Sequence, residues 1–181
     1  LKALQTDDIR SAVLPILFPV SDGPDGLETA MNRLCKAASQ AIDDGCSVLI
    51  LSDRGTDRNH APIPALLAAA GVHHHLVREK KRTRCGLVVE SGEPREVHHF
   101  ALLFAYGVSA INPYLVFDSI AELIQEGTLK KTDLKKAVKE YIKAAEKGVL
   151  KVMSKMGVST LQSYRGAQIM EAVGLDAAFI D

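Results

Sequence analysis

The chain has 181 residues, with 22 Lys plus Arg and 22 Asp plus Glu, and so no formal net charge. That length is enough for one ordinary domain with its own core, and the balanced charge argues against a dedicated nucleic-acid binder. With 47% hydrophobic and 24% charged residues, the composition is globular rather than disordered. No apolar run approaches the ~20 residues of a membrane span.

Residues 1–20 are apolar but interrupted by Pro15 and Pro19, which predicts irregular structure or a short helix. The cluster Asp22-Gly23-Pro24-Asp25-Gly26 reads as a turn, with Asp25 as a cap for the next helix. Over residues 27–43 the spacing of Leu27, Met31, Leu34, Ala38 and Ala41 predicts that helix, stopped at Gly45. Residues 46–51 form a short unbroken apolar run, as expected of a buried parallel strand. A polar loop over 52–61 leads to Pro62 and Pro64, which suit the start of a helix running to residue 80, punctuated at Gly71.

The rhythm then repeats. Residues 85–90 read as a strand, 91–95 as a loop and 96–106 as a helix stopped by Gly107. A third strand is predicted over 108–111, and helices over 114–125 and 132–156, with Gly127, Gly148 and Gly157 as breaks or stops. A fourth strand over 158–161, a helix over 168–173 and a strand from 178 complete the reading. Short apolar strands alternating with helices predict an α/β fold of parallel β/α units with right-handed crossovers. There are too few units for a closed eight-stranded barrel, which leaves an open sheet or part of a barrel. In either, function gathers at loops after the carboxyl ends of strands.

The loop after residues 46–51 is the densest polar cluster. It holds Asp53, Arg54, Asp57, Arg58 and His60, which could build an acid–base site or simply pair with one another and cap the next helix. The histidines are His60, the run His73-His74-His75 and the pair His98-His99. Neighbouring helical residues point about 100° apart, and no i, i+4 His pair is present, so the spacing suits a metal poorly. Cys35, Cys46 and Cys85 form neither a zinc pattern nor a disulfide framework, which points to a reducing compartment, the cytoplasm. No phosphate-binding glycine motif occurs, although Arg165-Gly166 could hold an anion or pin a turn. Lys135, Lys139, Lys143, Lys147 and Lys151 follow one face of the longest predicted helix, while Leu134, Val138, Ile142 and Ala145 follow another, as in a solvated amphipathic helix.

Several stretches go beyond type. Ile50-Leu51-Ser52-Asp53-Arg54-Gly55 precedes His60-Ala61-Pro62-Ile63-Pro64-Ala65-Leu66-Leu67 and Val72-His73-His74-His75-Leu76. They are followed by Gly86-Leu87-Val88-Val89-Glu90-Ser91-Gly92-Glu93-Pro94-Arg95 and Ala110-Ile111-Asn112-Pro113-Tyr114-Leu115, and later by Gln162-Ser163-Tyr164-Arg165-Gly166-Ala167-Gln168-Ile169. In this order the chain resembles the central domain of the glutamate synthase large subunit. The resemblance implies a rudimentary barrel-like α/β domain related to FMN-linked oxidoreductase barrels. It implies a larger enzyme that makes glutamate from glutamine and 2-oxoglutarate, with a glutaminase domain and an FMN domain on the same polypeptide. An iron–sulfur cluster, and electrons from a small reductase subunit or ferredoxin, are implied as well.

In such an enzyme the central domain joins glutaminase to flavin barrel and helps form the route for ammonia. The resemblance places the catalytic groups, FMN and metal cluster outside this chain, and implies neither nucleic-acid nor membrane partners. The start at Leu1 and the end at Asp181 fit a piece of a longer polypeptide. The polar residues expected at its interfaces or along the ammonia route are Asp53, Arg54, His60, His73, Glu93, Arg95, His98 and Arg165. The alternative is a free-standing α/β enzyme with an acid–base or His-metal site at Asp53, Arg54 and His60.

Overall fold

The computed structural model describes residues 2, 6, 9–130, 132–170 and 174. In chain order the elements are β1 (Ser11–Pro15), β2 (Leu17–Pro19), α1 (Gly23–Asp43), β3 (Val48–Ser52), β4 (His60–Pro62) and α2 (Ala65–Arg78). They continue with β5 (Gly86–Glu90), α3 (Val97–Ala105), β6 (Ala110–Asn112), α4 (Tyr114–Gln125), α5 (Leu134–Lys155) and α6 (Leu161–Tyr164). Four strands form one parallel sheet in the order β1-β3-β5-β6. The order advances in one direction, as in a segment of a β/α barrel, and does not reverse about a switch point.

Alternation along the strands separates two faces. Leu14, Leu49, Leu51, Leu87 and Val89 face the helices and join Leu34, Ala38 and Ile42 of α1 and Ala68, Val72 and Leu76 of α2 in the main core. Leu49, Leu51, Leu87 and Val89 are 0% exposed, and each such side chain contributes about 1.5–3 kcal/mol on burial. A second cluster lies where α5 crosses α3, through Phe100, Ala105, Val149, Met153 and Tyr164. Gly148 permits this approach, because a Cβ there would collide with the Val97 side chain.

The structure corrects several sequence expectations. Residues 11–15 and 17–19 are strands, not irregular or helical: β1 pairs with β3, and Pro15 is tolerated because β1 lies at the edge of the sheet. Leu14 and Ile16 are buried there. The 52–61 loop ends in β4, which pairs antiparallel with β2 in a separate ribbon. The Gly23-Pro24-Asp25-Gly26 cluster is the first turn of α1, with Pro24 in its allowed early position, and Asp22 takes the cap position assigned to Asp25. Neither Gly71 nor Gly148 interrupts its helix.

No strand forms over 158–161. Instead Thr160 caps α6 by accepting from the Ser163 N–H, and Val158 packs on the second cluster. Residues 168–170 are not helical. The rest of the helix predicted over 168–173, and the strand predicted from 178, lie outside the described residues. Among the described residues no helix is long and apolar enough to cross a membrane.

Candidate functional site

The register of the parallel sheet places Ser52 opposite Glu90, and Glu90 opposite Asn112, in one row at the carboxyl edge. Their neighbours Leu51 and Val89 point into the helix-side core, so these side chains stand on the other face. Ser52 Oγ donates to Glu90 Oε2 at 2.6 Å, Arg54 Nε donates to Glu90 Oε1 at 3.0 Å, and Asn112 Nδ2 donates to the same oxygen at 3.3 Å. Lys2 Nζ pairs with Glu90 Oε2. The Glu90 side chain is 6% exposed. Burial pushes its carboxyl up, but the hydrogen bonds from Lys2, Ser52 and Arg54 outweigh burial and hold it at about 2.

Asp53 sits beside this row and is buried. It accepts from Ser91 Oγ at 2.6 Å and from the Gly92 N–H at 3.0 Å. Tyr114 is pushed up to about 12, by burial and by its hydrogen bond to Asp53. The Arg54 guanidinium lies 4.0 Å from the Tyr114 ring centroid, a cation–π contact that fixes its plane. The result is a tightly bonded patch with two sealed carboxylates and two half-exposed cationic heads, Arg54 and Lys2. A carboxyl at about 2 and a phenol at about 12 both lie far from neutral pH. Neither matches the proton affinity a general acid or base needs there.

The other sequence candidates scatter. His60 Nδ1 lies 3.0 Å from Asp57 Oδ1 in an exposed pair on β4. Glu93 Oε2 accepts from the Ala65 N–H at 2.9 Å, capping α2 near the carboxyl edge. Arg95 ties α3 to α5, its carbonyl accepting from Tyr141 Oη at 2.9 Å, and His98 is exposed on α3. His73 and Arg165 lie at the opposite edge. There Arg82 Nε donates to His73 Nδ1 at 3.0 Å, and Arg165 Nη1 donates to Ser109 Oγ at 2.6 Å. Among the described residues no three His, Cys, Asp or Glu side chains gather as a metal-binding group. Asp53 and Arg54 are thus the candidates brought into one network, and its other members, Glu90 and Tyr114, were not singled out from sequence. Their signal was positional: Glu90 ends an apolar strand, and Tyr114 follows the Asn112-Pro113 stop.

The fold is shared with solved structures of a doubly substituted flavocytochrome b2. The form with sulfite bound matches with a TM-score of 0.56 at 15% identity, covering 81% of this chain and 37% of that one. The form with pyruvate bound gives a TM-score of 0.55 at 15% identity, covering 81% and 36%. At that identity the likeness shows the fold alone. The sequence settles the family, since the glutamate synthase central domain model matches residues 1–176.

The chain belongs to the glutamate synthase central domain family. The NADPH glutamate synthase large chain of Bacillus subtilis is 46% identical over 181 residues, spanning 100% of this chain and 12% of that protein. The NADH glutamate synthase of Saccharomyces cerevisiae is 41% identical over 94% of this chain and 8% of its own length. A ferredoxin-dependent glutamate synthase of Synechocystis is 39% identical over 100% of this chain and 12% of its own length. The chain therefore spans about an eighth or less of these relatives.

The residues of this central domain do not fit a flavin. At the carboxyl edge, where a barrel flavoenzyme would need free donors for a phosphate and an isoalloxazine, the carboxylates of Asp53 and Glu90 are buried and bonded within the chain, and the cationic heads of Arg54 and Lys2 are paired with Glu90. They do not fit an iron–sulfur cluster either. Cys35 lies in α1, while Cys46 and Cys85 precede different strands, and among the described residues they do not gather with one another or with other ligating side chains.

Proposed function

We propose that this chain is a connector within a glutamate synthase, an enzyme forming glutamate from glutamine and 2-oxoglutarate. On this reading it holds a glutaminase domain and an FMN domain of the same polypeptide in register and helps wall the ammonia route between them. Electrons would come from a reductase subunit or ferredoxin. The FMN, when bound, carries electrons to the synthase site and is held by residues of another domain.

One observation carries the reading. The position that would hold a barrel enzyme's active site is filled by a self-paired network, in which Glu90 is held at about 2 and Tyr114 at about 12. Its outward features are cationic heads, Arg54 above all, suited to gripping a polar surface. Arg54 is a positioning residue on this view. In the full-length enzyme, Arg54→Ala is expected to raise glutamine hydrolysis several-fold relative to glutamate formation, with glutamine KM little changed. Parallel assays of both half-reactions measure this. An unchanged ratio, together with unchanged thermal stability, contradicts the interface role.

A further inference from the structure

The parallel sheet stops at β6, which pairs with β5 and, among the described residues, with no strand on its other side. Beside it lies a groove of about 600 Å³. Ala110 and Ile111 of β6 form part of one wall, and Ile142, Val149 and Leu150 of α5 part of the other. Leu150 is 62% exposed, more than any other large apolar side chain among the described residues. An open apolar wall of this kind marks a surface that another segment covers.

The chain itself holds a segment with the marks of a strand. β3 begins three residues after Gly45, and β6 three residues after Gly107. These glycines follow α1 and α3 at φ 88° and 93°, the left-handed state of a helix stop. Gly174 has a φ of 82°, and three residues on begins Ala177-Ala178-Phe179-Ile180. Such an unbroken apolar run suits a parallel strand buried on both faces. Asp181 follows it, as Asp53 follows β3. Gly127 and Gly157 also follow helices, but Lys130 and Thr160 stand at that spacing and no strand forms there. The chain also leads to the groove. Ile169 and Met170 pack against the cluster of Phe100, Val149 and Met153, and all three of these line the groove. The Gly166 N–H donates to the Ala105 carbonyl, just ahead of β6. From Met170, residues 171–176 can span about 20 Å, twice the length of a three-residue strand.

We propose that residues 177–180 of this chain add to the free side of β6 as a fifth parallel strand and cover the groove. In this arrangement α4, α5 and α6 become the crossover of one more β/α unit, a connection long enough for parallel pairing. Leu49 and Leu51, the second and fourth residues of β3, face the helices. By the same spacing Ala178 and Ile180 face α5, while Phe179 joins Ile50 and Val88 on the other face of the sheet. The inference stands independently of the connector role.

The test follows amide exchange by NMR in three proteins: the 181-residue chain, the chain ending at Gly174, and Ile180→Asp. Residues 110–112 should exchange at least about tenfold faster in the two altered proteins. Unchanged rates in α1 and β3 separate loss of one strand from a general loss of stability. In the intact chain, NOEs should join the Ile180 methyl groups to those of Ile142, Val149 or Leu150. If the shortened chain does not fold, Ile180→Asp decides. Equal exchange of residues 110–112 in the folded proteins, or no such NOE in the intact chain, overturns the proposal. So does protection of residues 110–112 that rises with protein concentration, because a second copy would then occupy the groove.

Discussion

Replacing Glu90 by Leu is expected to lower the stability of the chain by about 3 kcal/mol. Removing one member of a buried charge pair leaves its partners uncompensated, usually at about 3–5 kcal/mol. The low end applies because Arg54 and Lys2 are half exposed and can rehydrate. Ser52 Oγ and Asn112 Nδ2 also lose their acceptor. For a domain of this size, thermal unfolding should shift down by about 6–12 °C, and Glu90→Gln, which keeps shape and one acceptor, should shift it less. The pH dependence follows from the sign of the shift. The folded carboxyl titrates at about 2, below the ordinary value of 4.5, so its contribution is complete above 4.5 and is lost as pH falls from 4.5 towards 2. The stability gap between wild type and Glu90→Leu should therefore narrow across that window. A shift of less than about 1 kcal/mol at neutral pH would mean that the network contributes little to stability.

Gly107→Ala is expected to cost about as much, for a different reason. Gly107 ends α3 at φ 93°, in the left-handed region that costs a side-chain-bearing residue about 1–2 kcal/mol. An added Cβ would also collide with His73 Nδ1, the atom that accepts from Arg82. Displacing His73 forfeits that bond and disturbs the Arg82 contact with the Gly107 carbonyl, for a total of about 3 kcal/mol. Gly127→Ala supplies the control. Its φ is 75° but nothing lies within 4 Å of the added Cβ, so it should cost only the backbone strain of about 1–2 kcal/mol. Chemical denaturation of both variants measures the difference. Equal losses would show that the His73 contact carries no energy.

Much of the fold was legible because parallel strands are continuous apolar runs. Cys46-Ser47-Val48-Leu49-Ile50-Leu51 and Cys85-Gly86-Leu87-Val88-Val89-Glu90 announce β3 and β5 within two residues. The stops were legible too, since Gly45, Gly107, Gly127 and Gly157 all adopt positive φ. The ribbon of β2 and β4 was not. Each strand is three residues long, both contain proline, and only tertiary pairing makes them strands. Val158 misled because an apolar residue after a glycine stop looks like a strand start, whereas here it fills the gap beside α5.

The site was half visible for a similar reason. Asp53 and Arg54 stand out as polar residues at a strand end. Glu90 becomes their partner only through a register that sets it opposite Ser52, and Tyr114 only through the α4 start that brings its ring under Arg54. His73 and Gly166 meet through the folding of α2 against the turn after α6. No local pattern encodes that meeting.

Hydrogen–deuterium exchange, run on the isolated chain and on the full-length glutamate synthase that contains it, tests the connector role most directly. Exposed segments without regular hydrogen bonding exchange fast unless a partner covers them. The exposed residues 54–59 and 95–96 should exchange faster than α1 and β3 in the isolated chain and slow in the full-length enzyme, while α1 and β3 stay unchanged. Equal exchange of these loops in both forms would contradict the account, because the carboxyl edge would then face solvent and not a neighbouring domain.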